Sequence, residues 1–212
     1  MWQAVHEELS PRGLTVITVA LDENAESARP WIEKARTTHP SLIDTDHVLA
    51  DRYNLVNVPS SVWIDETGRI ARPRDVAFGD DRFRDFTRVA SAPHIDALRA
   101  WVIDNRVPFT ADELRRLVPL PTGSDQLARA EFALAVWLSR QGRTEAAERH
   151  FERAGELAPH DFTIRRGSLP IRGISPRGEE FRRMHGDWEA AGRPYYEPLD
   201  PLVREPPEPR ER

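Results

Sequence analysis

Trp2, Val5, His6 and Leu9 recur at helical spacing and Pro11-Arg12-Gly13 stops the run, so the chain opens with the tail of a helix. Residues 14–21 (LTVITVAL) are almost continuously apolar and rich in β-branched side chains, the pattern of a strand buried on both faces. Asp22, Glu23 and Asn24 turn into a helix reaching about Thr37, with Trp31, Ile32 and Ala35 expected to face inward. A short strand over residues 41–43 and a helix over residues 47–53 follow, the latter placing Val48, Leu49 and Tyr53 on one side. Residues 57–65 lead through Glu66-Thr67-Gly68-Arg69 into Ile70-Ala71, which predicts strand, glycine-containing hairpin and second strand. The strands at 14–21 and 61–64, each apolar on both faces, are expected to share one sheet. The pattern lapses over residues 72–91, read as a surface excursion. It returns over residues 92–104 as an amphipathic helix with Ile95, Leu98, Trp101 and Val102 on its buried stripe.

Pro108 and the proline-rich stretch 118–123 bracket a short helix and mark a linker, with a boundary near residue 110. Residues 125–140 and 144–157 are two helices separated by Gln141-Gly142-Arg143, and Pro159 closes the second. This hairpin is expected to pack Leu134, Phe151 and Ala154 together and to set Trp137 against the first domain or the following segment. A further helix spans about 178–191, and the proline- and charge-rich stretch 194–212 is expected to be extended and mobile. The resulting division is 1–109, 110–193 and 194–212.

Composition narrows the chemistry. The 212 residues, 39% hydrophobic and 31% charged, suit a globular domain with an appendage. A net charge of −5 with both signs intermixed sets nucleic acid aside as a partner. No apolar run reaches the roughly 18 residues of a membrane span, and the charged, amphipathic start does not read as a signal peptide. The expectation is therefore a cytoplasmic protein without a membrane partner. The chain has no cysteine, which removes disulfides, thiolate metal sites and thiol nucleophiles together. Seven histidines lack the spacing of metal ligands and are read as scattered surface residues, so neither metal nor cofactor is expected. Asp44, Asp46 and Asp51 read as a helix N-terminal charge pattern. Hydrolase, kinase and dehydrogenase motifs find no match, and Trp2, Trp31, Trp63 and Trp101 read as core.

The string from Tyr53 through Val58-Pro59-Ser60-Ser61-Val62-Trp63-Ile64-Asp65 to Gly68-Arg69-Ile70 resembles the redoxin branch of the thioredoxin superfamily, especially TlpA/ResA-type proteins, with the likeness extending over about residues 1–105. The resemblance implies a thioredoxin-like α/β fold, here partial, lacking the central strand and the start of the active-site helix, plus a C-terminal all-α extension. It implies a cis Val58–Pro59 bond that frees the Val58 backbone to bond an extended substrate, making Val58 and Pro59 the substrate-binding residues. It also implies kinship with thiol–disulfide or selenol oxidoreductases acting on a protein or peptide thiol or disulfide. The family's catalytic pair, a Cys-x-x-Cys or a variant, sits at the start of the helix whose tail is Trp2 to Leu9, so no residue here receives the catalytic role. The alternative is a non-catalytic adapter that uses the proline shelf and the helical hairpin for protein contact. Leu134, Ala135, Gly142, Ala147, Phe151, Ala154 and Pro159 resemble a single tetratricopeptide repeat, and one such repeat is not a binding solenoid. Residues 161–168 with Arg193-Pro194-Tyr195-Tyr196 resemble tails of actinobacterial-type redoxins with a selenocysteine motif. These likenesses raise the expectation that Met1 is an internal methionine of a truncated reading frame, a selenocysteine codon having been read as stop, with gene decay as the alternative.

Overall fold

The computed structural model describes residues 2–107 and 109–199. Its N-terminal region is mixed α/β and its C-terminal region largely helical. By contact, the chain divides into two compact units, each assembled from separate stretches. One gathers Met1–Val16, Pro59–Val118 and the chain from Pro194 on; the other gathers Ile17–Val58 and Pro119–Arg193.

In the first unit, helix α1 (Trp2–Leu9) buries Val5 and Leu9. They pack with Trp63, Ile95 and Leu98 into a core flanked by Trp2, Leu14, Val16, Trp101 and Val102.

In the second unit, strand β1 (Thr18–Ala20) leads into helix α2 (Ala25–Ala35), where Asn24 caps the start by accepting from the Ser27 backbone N–H at 2.9 Å. Strand β2 (Ser41–Ile43) pairs parallel with β1, Thr18 opposite Ser41. Helix α3 (Val48–Arg52) follows, and the Asp44 carboxylate accepts from the Val48 and Leu49 backbone N–H groups, as the acidic pattern anticipates.

Strand β3 (Ser60–Ile64) returns the chain to the first unit and pairs antiparallel with β4 (Ile70–Val76). Gly68, at φ 81°, and the Asp65 side chain, which accepts from the Thr67 and Arg69 N–H groups, fix the turn between them. Helix α4 (Arg84–Thr87) precedes α5 (Ala92–Asp104), which buries His94, Ile95 and Leu98, and α6 (Ala111–Leu117) carries a Thr110–Glu113 capping box.

The helical remainder belongs to the second unit. Helices α7 (Gly123–Arg140) and α8 (Thr144–Leu157) form the hairpin, followed by α9 (Phe162–Arg165), α10 (Ser168–Ile171) and α11 (Glu179–Ala190). Its core joins Phe132, Ala135, Val136 and Leu138 to Ala147, Phe151, Ala154 and Ile164, with the Phe132 and Phe151 rings edge to face at 5.8 Å. These helices interlock with residues 47–56. Buried Arg129 donates to the Ala50 and Leu55 carbonyls and to Asn54 and Asp161 at 2.8 to 3.2 Å. Phe162 N–H donates to the Val56 carbonyl at 2.6 Å. His47 lies against the Phe132 ring, and a Cβ at Gly167 would come within 2.9 Å of its Cε1, so only glycine fits there.

Several expectations are corrected. The strands at 14–21 and 61–64 do not share a sheet: β1 pairs with β2 and β3 with β4 in two separate two-stranded sheets. β1 spans three half-buried residues and Ile17 is 56% exposed, because a strand with a partner on one edge and thin cover on its faces cannot bury both. In α2 the inward phase runs through Ala28 and Ile32, leaving Trp31 62% exposed. Residues 72–91 are no surface excursion, since Val76, Ala77, Phe78 and Val89 are core. The hairpin packs Phe151 and Ala154 inward but leaves Leu134 and Trp137 exposed, because the buried face of α7 passes through 128, 132 and 135. Tyr195 and Tyr196 are buried, Tyr196 meeting Phe78 edge to face at 5.2 Å, so the described start of the 194–212 stretch is packed rather than free. Among the described residues, no helix is long and apolar enough to cross a membrane.

Candidate functional site

Val58 and Pro59 lie half-buried in the loop between α3 and β3. Asn54, at φ 50°, ends the α3 turn, and Leu55 N–H donates back to the Ala50 carbonyl at 2.8 Å. The Val58 N–H is occupied: it donates to Oδ1 of buried Asn57 at 2.9 Å. The Pro59 carbonyl accepts from Ala77 N–H at 3.3 Å, which extends the β3–β4 ladder by one bond. A peptide approaching the Val58 N–H must therefore displace a side chain that already mimics it.

Directly after this loop the first unit holds a buried polar cluster that sequence reasoning missed. Ser61 and Asp75 are cross-strand partners on β3 and β4, which puts their side chains on one face. Between Ser61/Asp75 and Trp63/Arg72 the register slips by one residue at Pro73-Arg74, a β-bulge. The slip is decisive, because residues three apart on a regular strand point to opposite faces. Here it turns Arg72 back onto Asp75, with Nε and Nη2 donating to Oδ2 at 2.9 and 2.5 Å. The guanidinium also lies 5.0 Å from the Trp63 and Phe109 ring centres.

His94, from the first turn of α5, inserts between the strands: its Nε2 is 3.1 Å from Ser61 Oγ and its Nδ1 is 3.4 Å from Asp75 Oδ2. The other Asp75 oxygen accepts the Leu199 backbone N–H at 2.7 Å. Burial pushes the Asp75 carboxyl up, but His94, Arg72 and the Leu199 N–H outweigh it and hold the group below its ordinary value.

Ser61, His94 and Asp75 stand in the order of a hydrolytic triad, yet the carboxylate oxygen that would support the imidazolium is already taken by two Arg72 bonds. The arrangement acts as a lock that joins hairpin, helix and C-terminal segment. His94, His47 and His39 are 2%, 7% and 4% exposed, which corrects the reading of the histidines as surface residues. Among the described residues, no group of three or more His, Asp or Glu could hold a metal ion. In the second unit a cavity of about 180 Å³ is lined by Glu23, Asn24, Thr45, Val136, Ser139, Arg140 and Ile171. Its one cation, Arg140, is engaged by Asp46 and the Thr45 carbonyl.

The mixed α/β region with its Val-Pro step into a hairpin is the part of the chain on which the comparisons bear. Residues 1–72 match the model of the AhpC/TSA family, about a third of the chain, while the chain itself has no cysteine. No curated protein and no solved structure matches the chain.

Proposed function

We propose that this chain is a redoxin-type protein of thioredoxin-like ancestry, related to thiol–disulfide or selenol oxidoreductases, whose own residues supply a substrate shelf but no redox nucleophile. The observation that carries this reading is the AhpC/TSA match over residues 1–72, the stretch that contains Val58, Pro59 and all of β3. The Asn57–Val58 bond supports a shelf role: a polar cap on the N–H satisfies it until an extended peptide backbone replaces the cap. The partner on this reading is a protein or peptide thiol or disulfide. With no cysteine in the chain, thiolate attack on a disulfide or peroxide has no donor.

The test pairs activity with binding. The chain is expected to give no insulin reduction and no peroxide consumption, and turnover in either assay overturns the statement that it lacks a nucleophile. Titration with unfolded, oxidised insulin B chain is expected to shift the Val58 amide resonance, with Asn57→Ala tightening the binding severalfold. An unmoved Val58 resonance overturns the shelf. The alternative reading, a non-catalytic adapter, is favoured by one observation: α7 leaves Leu127, Leu134 and Trp137 exposed on a helix that belongs to the hairpin.

A further inference from the structure

Helix α7 has two apolar faces and buries one. Ala128, Phe132, Ala135, Val136 and Leu138 are buried on the side that packs with α8, α9 and α10. On the other side Leu127, Leu134 and Trp137 are 47%, 41% and 54% exposed, with Ala130 and Ala133 exposed among them. Positions 127, 130, 134 and 137 follow one another at intervals of 3, 4 and 3, the spacing of a helix-pairing seam, and none of them is charged.

We propose that this seam is the contact for a second copy of the chain, with the two α7 helices antiparallel about a two-fold axis level with Phe132. The pattern itself is two-fold: 127 and 137 lie equally far from 132, and so do 130 and 134. Antiparallel pairing sets Leu127 against Trp137 of the second copy and Ala130 against Leu134, so bulk meets space at the inner layers. Parallel pairing sets Trp137 against its twin and Ala130 against its twin, a clash and a void in one seam. Charge complementarity points the same way. Antiparallel helices place the positive N-terminal end of each beside the negative C-terminal end of the other. Glu131, which flanks the axis, is already taken up by His150 Nδ1 at 2.5 Å and does not present a bare charge to its twin. The seam covers about 15 Å of helix, far fewer residues than the roughly 20–30 a side of a stable interface, so association is weak and concentration-dependent. The proposal stands on α7 alone and is independent of the redoxin reading.

Sedimentation equilibrium of the full chain is expected to show the mass rising from monomer towards twice that value with concentration, and Trp137→Glu is expected to shift the midpoint at least tenfold upward. Because the chain has no cysteine, engineered thiols report geometry cleanly. A mixture of Ala130→Cys and Leu134→Cys chains is expected, on oxidation, to give at least tenfold more disulfide dimer than either variant alone. Circular dichroism verifies that each variant is folded, and Trp137→Phe, which keeps the bulk of the ring, is expected to restore association. A monomer at every concentration, meaning that a different partner or none covers the seam, overturns the proposal. So does a disulfide yield from the mixture no greater than from the separate variants.

Discussion

Each unit is built round a buried arginine–aspartate pair, and the two pairs behave differently. In the first unit Arg72 and Asp75 are 3% and 1% exposed in their side chains, and in the second Arg129 and Asp161 are 11% and 3% exposed. Asp75 stays below its ordinary value of 3.8, whereas burial pushes Asp161 above it despite the Thr163 hydroxyl and the Arg129 guanidinium. The reason lies in how each cation is shared. Arg72 gives two hydrogen bonds to Asp75, and His94 adds a second basic group beside the same oxygen. Arg129 gives Asp161 one bond at 3.1 Å, while its Nη1 and Nη2 also donate to the Ala50 and Leu55 carbonyls and to Asn54. One arginine thus serves mainly to hold a carboxylate ionised, and the other mainly to tie a helix to a loop.

The sharpest way to break this comparison is to remove each arginine. Arg129→Met leaves Asp161 Oδ2 without its cation and takes one of two donors from each of the Ala50 and Leu55 carbonyls, so the expected loss is about 3–5 kcal/mol, read from urea titration of the variant. Arg72→Met is expected to cost less, about 3 kcal/mol, because Asp75 keeps the Leu199 N–H on its other oxygen and His94 beside it. Equal losses would contradict the distinction between the two pairs.

What the sequence made legible, and what it hid, follows the same division. Helices α5 and α8 and the β3–β4 turn were readable because an apolar stripe at 3.6-residue spacing and a glycine at positive φ are local signals. The Arg72–Asp75–His94 cluster was not, because it depends on a one-residue slip at Pro73-Arg74 that puts Arg72 and Asp75 on the same face. A redoxin likeness is legible in the 53–70 string and agrees with the AhpC/TSA match at that coarser level, whereas the Asn57 amide that occupies the Val58 N–H is not. Trp31 faces outward because it is one residue out of helical phase with half-buried Ile32, and Trp137, expected against the first domain or the following segment, sits one residue out of phase with buried Val136. Tyr195 and Tyr196 lie in a proline-rich stretch whose composition suggests solvent, and only tertiary packing against Phe78 buries them.

A pH series separates the two aspartates without removing an arginine. Asp75, with a lowered folded pKa, contributes stability that is present above 3.8 and is lost as pH falls through the folded value. Asp161, with a raised folded pKa, contributes in the opposite sense, fully below 3.8 and progressively less as pH rises through its folded value. Urea midpoints between about pH 2 and 6 should therefore fall less steeply with acid in Asp75→Asn than in the unaltered chain, relative to each protein's own neutral value. Asp161→Asn should fall more steeply. Slopes that change in the same direction in both variants would refute the assignment.

The smallest effect expected belongs to Ser61, and it decides what kind of site the first unit contains. Its Oγ is 3.1 Å from His94 Nε2, and Ser61→Ala removes that bond while leaving the imidazole wedged between Asp75 and the edge-on ring of Trp63, 5.4 Å away. Loss of one part-buried hydrogen bond costs about 1 kcal/mol, so the urea midpoint should drop slightly while the fold persists. A lock and a triad diverge in their chemistry. With Arg72 already neutralising Asp75, the carboxylate has little net charge left to stabilise the positive charge His94 would acquire as a general base. Ser61 should then resist a fluorophosphonate probe, and ester hydrolysis by the unaltered chain should not exceed that of Ser61→Ala. Stoichiometric labelling at Ser61, abolished by Ser61→Ala, would convert the cluster from a structural lock into a catalytic site.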